Sequence, residues 1–121
     1  MDKKDERQLE RVYHSLRTLF VQNQDLKLGH VLALLAVAVK EGQSVVEVQN
    51  RIGMTQSTAS RYLLELSEWG NKDTKGVRQK GMNVVESRED FSDRSVRRQY
   101  LTRKGVETIT TILEKLRKPE E

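Results

Sequence analysis

Cysteine is absent from this 121-residue sequence. That excludes a disulfide scaffold, a thiolate zinc site and a cysteine redox sensor. Proline occurs once, at Pro119, so it interrupts no element. No stretch approaches the roughly 20 apolar residues that a membrane span needs. The first ten residues are charged and polar, so no signal peptide is expected. Enzyme signatures are also missing. Gly76-Val-Arg-Gln-Lys-Gly81 has the glycine spacing of a phosphate loop, but Met82-Asn83 follows where Lys-Ser/Thr is required. No Gly-x-Ser-x-Gly elbow occurs. The two histidines, His14 and His30, fall on separate predicted helices, and His30 is expected in or beside the core rather than on a metal. The expectation is a soluble, cytoplasmic, non-enzymatic protein with no cofactor and no metal.

What is present is charge, unevenly placed. The net charge is +4, yet residues 72–104 alone hold ten Lys/Arg against five Asp/Glu, an excess of five. A clustered basic segment is the footprint a polyanion partner leaves. Hydrophobic residues make up 36% of the chain, enough for a small core that a helical oligomer would enlarge by sharing.

Apolar spacing organises the rest. Asp5 to Gln24 carries Leu9, Val12, Tyr13, Leu16, Leu19 and Phe20 at three- and four-residue steps, which predicts an amphipathic helix. Leu28 to Glu41 is apolar nearly all round and reads as a central buried helix stopped at Gly42. Ser44 and Glu47 form a capping box for a third helix ending at Gly53. Thr55 caps a fourth, about Gln56 to Trp69, with Ala59, Tyr62, Leu63, Leu66 and Trp69 on one face and Gly70 after it. Asn71 to Gly81 is polar and irregular. Met82–Ser87 and Val96–Leu101 are β-prone and flank a turn-rich stretch, which predicts a hairpin. Thr102 caps a last helix, about Arg103 to Arg117, with Val106, Ile109, Ile112, Leu113 and Leu116 at helical spacing. The reading is one domain over 1–121: N-terminal helices at 5–42, a helix-turn-helix at 44–70, a wing region at 71–101 and a C-terminal helix at 102–118.

Two short helices joined at a glycine follow helix-turn-helix grammar, in which the second helix enters the major groove. Ser57, Ser60, Arg61, Leu64 and Glu68 lie opposite its apolar face. Ile52-Gly-Met-Thr-Gln-Ser-Thr-Ala-Ser-Arg61 resembles the recognition region of the multiple-antibiotic-resistance regulator (MarR) family, typically Leu-Gly-Leu-Asp-x-Ser-Thr-Val-Ser-Arg. Asp93-Arg-Ser-Val-Arg-Arg-Gln-Tyr-Leu-Thr-x-Lys-Gly105 resembles that family's wing.

The resemblance implies a mostly α winged helix-turn-helix with a small β-hairpin and a helical dimerisation region made by the N- and C-terminal helices. It implies a homodimer, in a bacterial or archaeal cell or a phage, that binds pseudo-palindromic double-stranded DNA and represses transcription, with a possible small-molecule effector of unknown identity. Carried over, Thr55, Gln56, Ser57, Thr58, Ser60 and Arg61 would meet the major groove or its phosphates. Arg94 would be the wing-tip arginine, oriented by Asp93, with Arg88, Arg97 and Arg98 along the backbone. Leu9, Val12, Tyr13, Leu16, Leu19, Phe20, Ile109, Ile112, Leu113 and Leu116 would form the dimer interface. The sequence departs from the family at Gln49, Leu64, Glu65 and Ser95, in the long 71–81 stretch, and in having one C-terminal helix where two are usual. Leu64 on the would-be DNA face, Glu65 beside it and a long 71–95 region that could serve as a docking loop favour a second reading, a winged-helix protein-interaction module such as an adapter or inhibitor in a replication, polymerase or phage complex.

Overall fold

The computed structural model describes residues 1–117, so the expected end of the last helix at 118, and Pro119, lie outside the described residues. Ten elements follow in order: α1 Lys3–Gln22, α2 Leu28–Val39, β1 Gln43–Ser44, α3 Val45–Ile52, α4 Gln56–Leu66, β2 Trp69–Lys72, β3 Arg78–Lys80, β4 Val85–Glu89, β5 Arg97–Leu101 and α5 Arg103–Arg117. Local chemistry sets most of these boundaries. Asp2 caps α1 by accepting from the Asp5 N–H at 2.9 Å. The Ser44–Glu47 capping box closes with both hydrogen bonds, 3.1 and 3.0 Å. Thr102 Oγ1 accepts from the Gly105 N–H at 3.0 Å and starts α5.

The core lies where α2 meets α3, α4 and the sheet, and Leu34, Val37, Val48, Leu63, Leu66, Val84 and Val85 fill it. The sheet is three-stranded and antiparallel, in order β1-β5-β4, because Gln43 and Ser44 pair with Gln99 and Arg98 at the edge of the expected hairpin. The outer side of α2 is less covered than its all-apolar sequence suggests, and Leu28 and Val39 are exposed.

Three expectations change. First, α4 stops at Leu66, and Trp69 leaves its apolar face for β2, where it is half exposed. The reason is tertiary. The carbonyls of Glu65, Leu66, Ser67 and Glu68 accept from the backbone N–H groups of Met82, Val84, Asn83 and Gly81, at 2.8–3.1 Å. Those carbonyls would otherwise be orphans of a helix end. Second, residues 71–81 are not irregular: they lie in a second hairpin, β2–β3, turned at Gly76 with φ +79°. Third, the wing strand starts at Val85 rather than Met82, since Asn83 takes φ +60° and residues 81–84 are committed to the end of α4.

The first and last helices, expected to pair across a two-fold axis, pack on each other within the chain. Ser15 Oγ donates to the Ile112 carbonyl at 3.3 Å, and Gln22 Nε2 donates to Thr108 Oγ1 at 3.1 Å. Leu19 and Ile112, at 1% and 6% exposure, belong to this chain's own core, and Ile109 packs beside them. Leu9, Val12, Tyr13, Leu16 and Phe20 on α1, and Leu113 and Leu116 on α5, remain exposed.

Candidate nucleic-acid interface

The turn between α3 and α4 depends on Gly53, which takes φ +85° and donates its N–H to the Gln49 carbonyl at 2.9 Å. A side chain is strained at that φ, so glycine makes the tight turn possible. Thr55 Oγ1 then accepts from the Thr58 N–H at 3.3 Å and donates to Thr58 Oγ1 at 2.8 Å. Both threonines, named as DNA contacts from the sequence, are thus engaged in the cap. Ala59, Leu63 and Leu66 face the core, as their spacing predicts. Gln56, Ser57, Ser60 and Arg61 are exposed on the outer side of α4. The Arg61 guanidinium lies 5.2 Å from the centroid of the Tyr62 ring, and no hydrogen bond or ion pair holds it among the described residues.

Glu65 does not face outward as a departure on the groove side would require. His30, buried at 8% exposure, accepts the Lys27 N–H on Nδ1 at 3.0 Å, which leaves its proton on Nε2. Nε2 donates to Glu65 at 2.9 Å, and Asn71 donates to the other carboxylate oxygen at 3.2 Å. A buried polar group must find partners, and this triad ties α2, α4 and β2 together. Leu64 is half-buried and lines a small recess with Val45, Ser60 and Gln99.

The wing is the β4–β5 hairpin, in register from Val85↔Leu101 to Glu89↔Arg97. Its tip is braced by two aspartates. Asp90 accepts from the Ser92 N–H and hydroxyl and from Arg98, at 2.9–3.0 Å. Asp93 accepts from the Ser95 hydroxyl and N–H, at 2.6 and 3.0 Å. These Ser hydrogen bonds, joined at Asp90 by Arg98, hold both carboxyls below their ordinary range. Asp93 therefore shapes its own turn rather than orienting Arg94.

The wing arginines divide into one free and three engaged. Arg98 donates to the Gly42 carbonyl at 2.9 Å and pairs with Asp90 and, at 3.5 Å, Glu47. Arg97 donates to the Ser87 carbonyl at 3.0 Å and lies 3.7 Å from Glu89. Arg88 pairs with Glu86 and sits 4.3 Å over the Tyr100 ring. Arg94 is exposed and without a partner among the described residues. Beside it Phe91 is fully exposed at the tip, a feature that apolar spacing does not flag. Along the Arg61 side of α4 an open cleft of about 620 Å3 is bordered by Arg61, Lys72, Lys80, His30 and Glu65. Neither lysine lies in the helix-turn-helix or wing motif. Their signal was the basic excess itself, hidden because no element was expected there. Among the described residues no group of acidic or histidine side chains could hold a metal ion, and no helix is long and apolar enough to cross a membrane.

Known proteins share this geometry. The model of the IclR helix-turn-helix domain matches residues 26–71. No curated protein sequence matches the chain. Among solved structures, a MarR family transcription regulator is similar at 18% identity and TM-score 0.61, over 87% of this chain and 57% of that one. The transcriptional regulator Tm0710 from Thermotoga maritima is similar at 16% identity and TM-score 0.64, over 89% of this chain and 66% of that one. Reduced AbfR bound to DNA is similar at 14% identity and TM-score 0.60, over 83% of this chain and 66% of that one. The chain thus spans between 57% and 66% of the length of these structures. With helices, helix-turn-helix and wing in the same arrangement, the chain has the winged helix-turn-helix fold of MarR-type regulators.

Proposed function

We propose that the protein is a sequence-specific double-stranded-DNA-binding transcriptional regulator, a repressor that acts as a homodimer on a pseudo-palindromic operator. The observation that carries this reading is the outer side of α4. Its Gln56, Ser57, Ser60 and Arg61 are exposed, and it stands beside a wing whose Arg94 has no partner among the described residues. Arginine reads guanine O6 and N7 in the major groove, and glutamine reads adenine. Phosphate contacts position such a protein; base contacts specify its site. The exposed apolar row of α1 with Leu113 and Leu116 of α5 forms the dimer surface, and the whole chain acts as one domain. The interaction-module reading loses the support of Glu65, which is turned to His30 and Asn71 rather than toward a partner.

Selection from random duplexes, followed by titration of the Arg61→Ala variant, tests the proposal. The variant is expected to lose about 10- to 100-fold on the selected site, from the roughly 1–3 kcal/mol a bidentate guanine contact contributes, and much less on random duplex. It should stay folded, since the side chain is exposed. No enrichment of any sequence by the wild type would refute the proposal. Arg94→Ala is expected to weaken binding to all duplexes alike and to reduce the slope of log K against log salt by about one per protomer, the signature of a lost phosphate contact. An unchanged slope would remove Arg94 from the interface.

A further inference from the structure

Of the cations in the basic segment 72–104, the wing leaves only Arg94 without a partner among the described residues. Arg88, Arg97 and Arg98 are paired within the chain, and Lys104 Nζ donates to the Met82 carbonyl at 2.8 Å. Lys72, Lys75 and Lys80 are different. All three are exposed, and none has a side-chain partner among the described residues. They sit together on the β2–β3 hairpin, whose one acidic residue is consumed by its own turn. Asp73 accepts from the N–H groups of Lys75 and Val77 at 2.9 Å and from the Gln79 amide at 3.0 Å.

The hairpin is also held in place. Backbone hydrogen bonds from residues 81–84 to the end of α4 fix one strand, and the Asn71–Glu65–His30 triad fixes the other. Gly81 closes the joint: a Cβ there would lie 1.9 Å from the Ser67 carbonyl oxygen. Arg78 spends one N–H on the Gly70 carbonyl at 3.0 Å and braces the strand pair.

Position gives the partner. Ser60, Leu64 and Ser67 of α4 border the recess at Ser87 and Gln99 of the wing strands, whereas Arg61 borders the cleft with Lys72 and Lys80. The β2–β3 hairpin thus turns Trp69 and Arg78 toward the wing, where they share a cleft with Glu86, Ser87 and Arg97, and Lys72 and Lys80 toward Arg61. We propose that the β2–β3 hairpin is a second basic arm, which grips the sugar–phosphate backbone of the same duplex that α4 reads, on the Arg61 side of that helix. This rests on the DNA-binding reading above. A hydrogen-bonded hairpin with three ammonium groups unpaired among the described residues has the chemistry of a phosphate clamp: compact point charges on flexible stems.

The test compares the full-length K72Q/K75Q/K80Q variant with K3Q/K4Q/R7Q, which removes the same charge from the first turns of α1, roughly 25 Å along the helix from its Gln22 end. Both are titrated on the selected duplex across a salt series. Each lost phosphate contact lowers the slope of log K against log salt by about 0.9. The hairpin variant is expected to lose two to three contacts per protomer and roughly 10- to 100-fold in affinity near 0.15 M salt, with base preference unaltered. The α1 variant should resemble the wild type. A K72R/K75R/K80R variant should keep the wild-type slope. Hydroxyl-radical protection should extend beyond the α4 contact on the Arg61 side and retract only in the hairpin variant. If the wild type binds its site but the hairpin variant keeps its slope and footprint, the arm is refuted and the DNA-binding reading stands. If the wild type binds no duplex, both fall. If the hairpin variant loses an acidic protein or RNA but not duplex affinity, the arm belongs to that partner and the proposal is overturned.

Discussion

Leu16→Asp is expected to convert the proposed dimer to a monomer at tens of micromolar and to weaken operator binding on the order of 100-fold or more. Leu16 is 44% exposed, in one row with Leu9, Val12, Tyr13 and Phe20, so the isolated chain tolerates the change. In a dimer the same position would be covered, and an unpaired carboxylate there costs several kcal/mol. The effect on DNA is larger than any single contact because a dimer engages two half-sites at once. Linked modules exceed either alone by about 10²–10⁴ without new contacts. Light scattering gives the oligomeric state, titration on full and half operators the affinity. Wild-type protein that is already a monomer would sink the dimer, as would a variant that stays dimeric. Ile109→Asp would be a poor substitute, since Ile109 packs into the chain's own core and would report folding instead.

Gly105→Ala is expected to destabilise the fold by about 2 kcal/mol or more and to lower Tm by roughly 10 °C. Helix propensity argues the other way, because alanine gains about 1 kcal/mol over glycine inside a helix. Space decides it. A Cβ at Gly105 would lie 2.0 Å from the Val84 carbonyl oxygen, which already accepts the Thr102 N–H at 3.1 Å. The Val84 carbonyl is backbone rather than a flexible side-chain end, so α5 would have to lift off the 81–84 segment. Thermal unfolding by circular dichroism measures the change, and a Tm equal to or above the wild type would show that α5 can shift at little cost.

The elements that could be read along the chain are those whose causes are local. Gly53 and Thr55 set the turn and the start of α4, Ser44 and Glu47 the start of α3, and Thr102 the start of α5. Each acts on residues at most four positions away. The apolar rows of α1, α4 and α5 were legible for the same reason, since a helix repeats every 3.6 residues whatever surrounds it. Trp69 marks where that logic failed. Its spacing continued the α4 row, but the carbonyls that would have extended the helix were taken by residues 81–84.

For the candidate site the division is sharper. The sequence by itself determined that a helix-turn-helix is present, that Ser57, Ser60 and Arg61 share the outer side of its second helix, and that one segment carries the basic excess. Only the tertiary structure decided which of those charges are free. Arg98 is spent on a carbonyl 56 positions away, Glu65 on a histidine 35 positions away, and Lys104 on a carbonyl 22 positions away. Lys72, Lys75 and Lys80 find nothing to pair with among the described residues. Composition counts cations, but a cation is available to a partner only if the fold leaves it without an acceptor, and distant segments supply the acceptors.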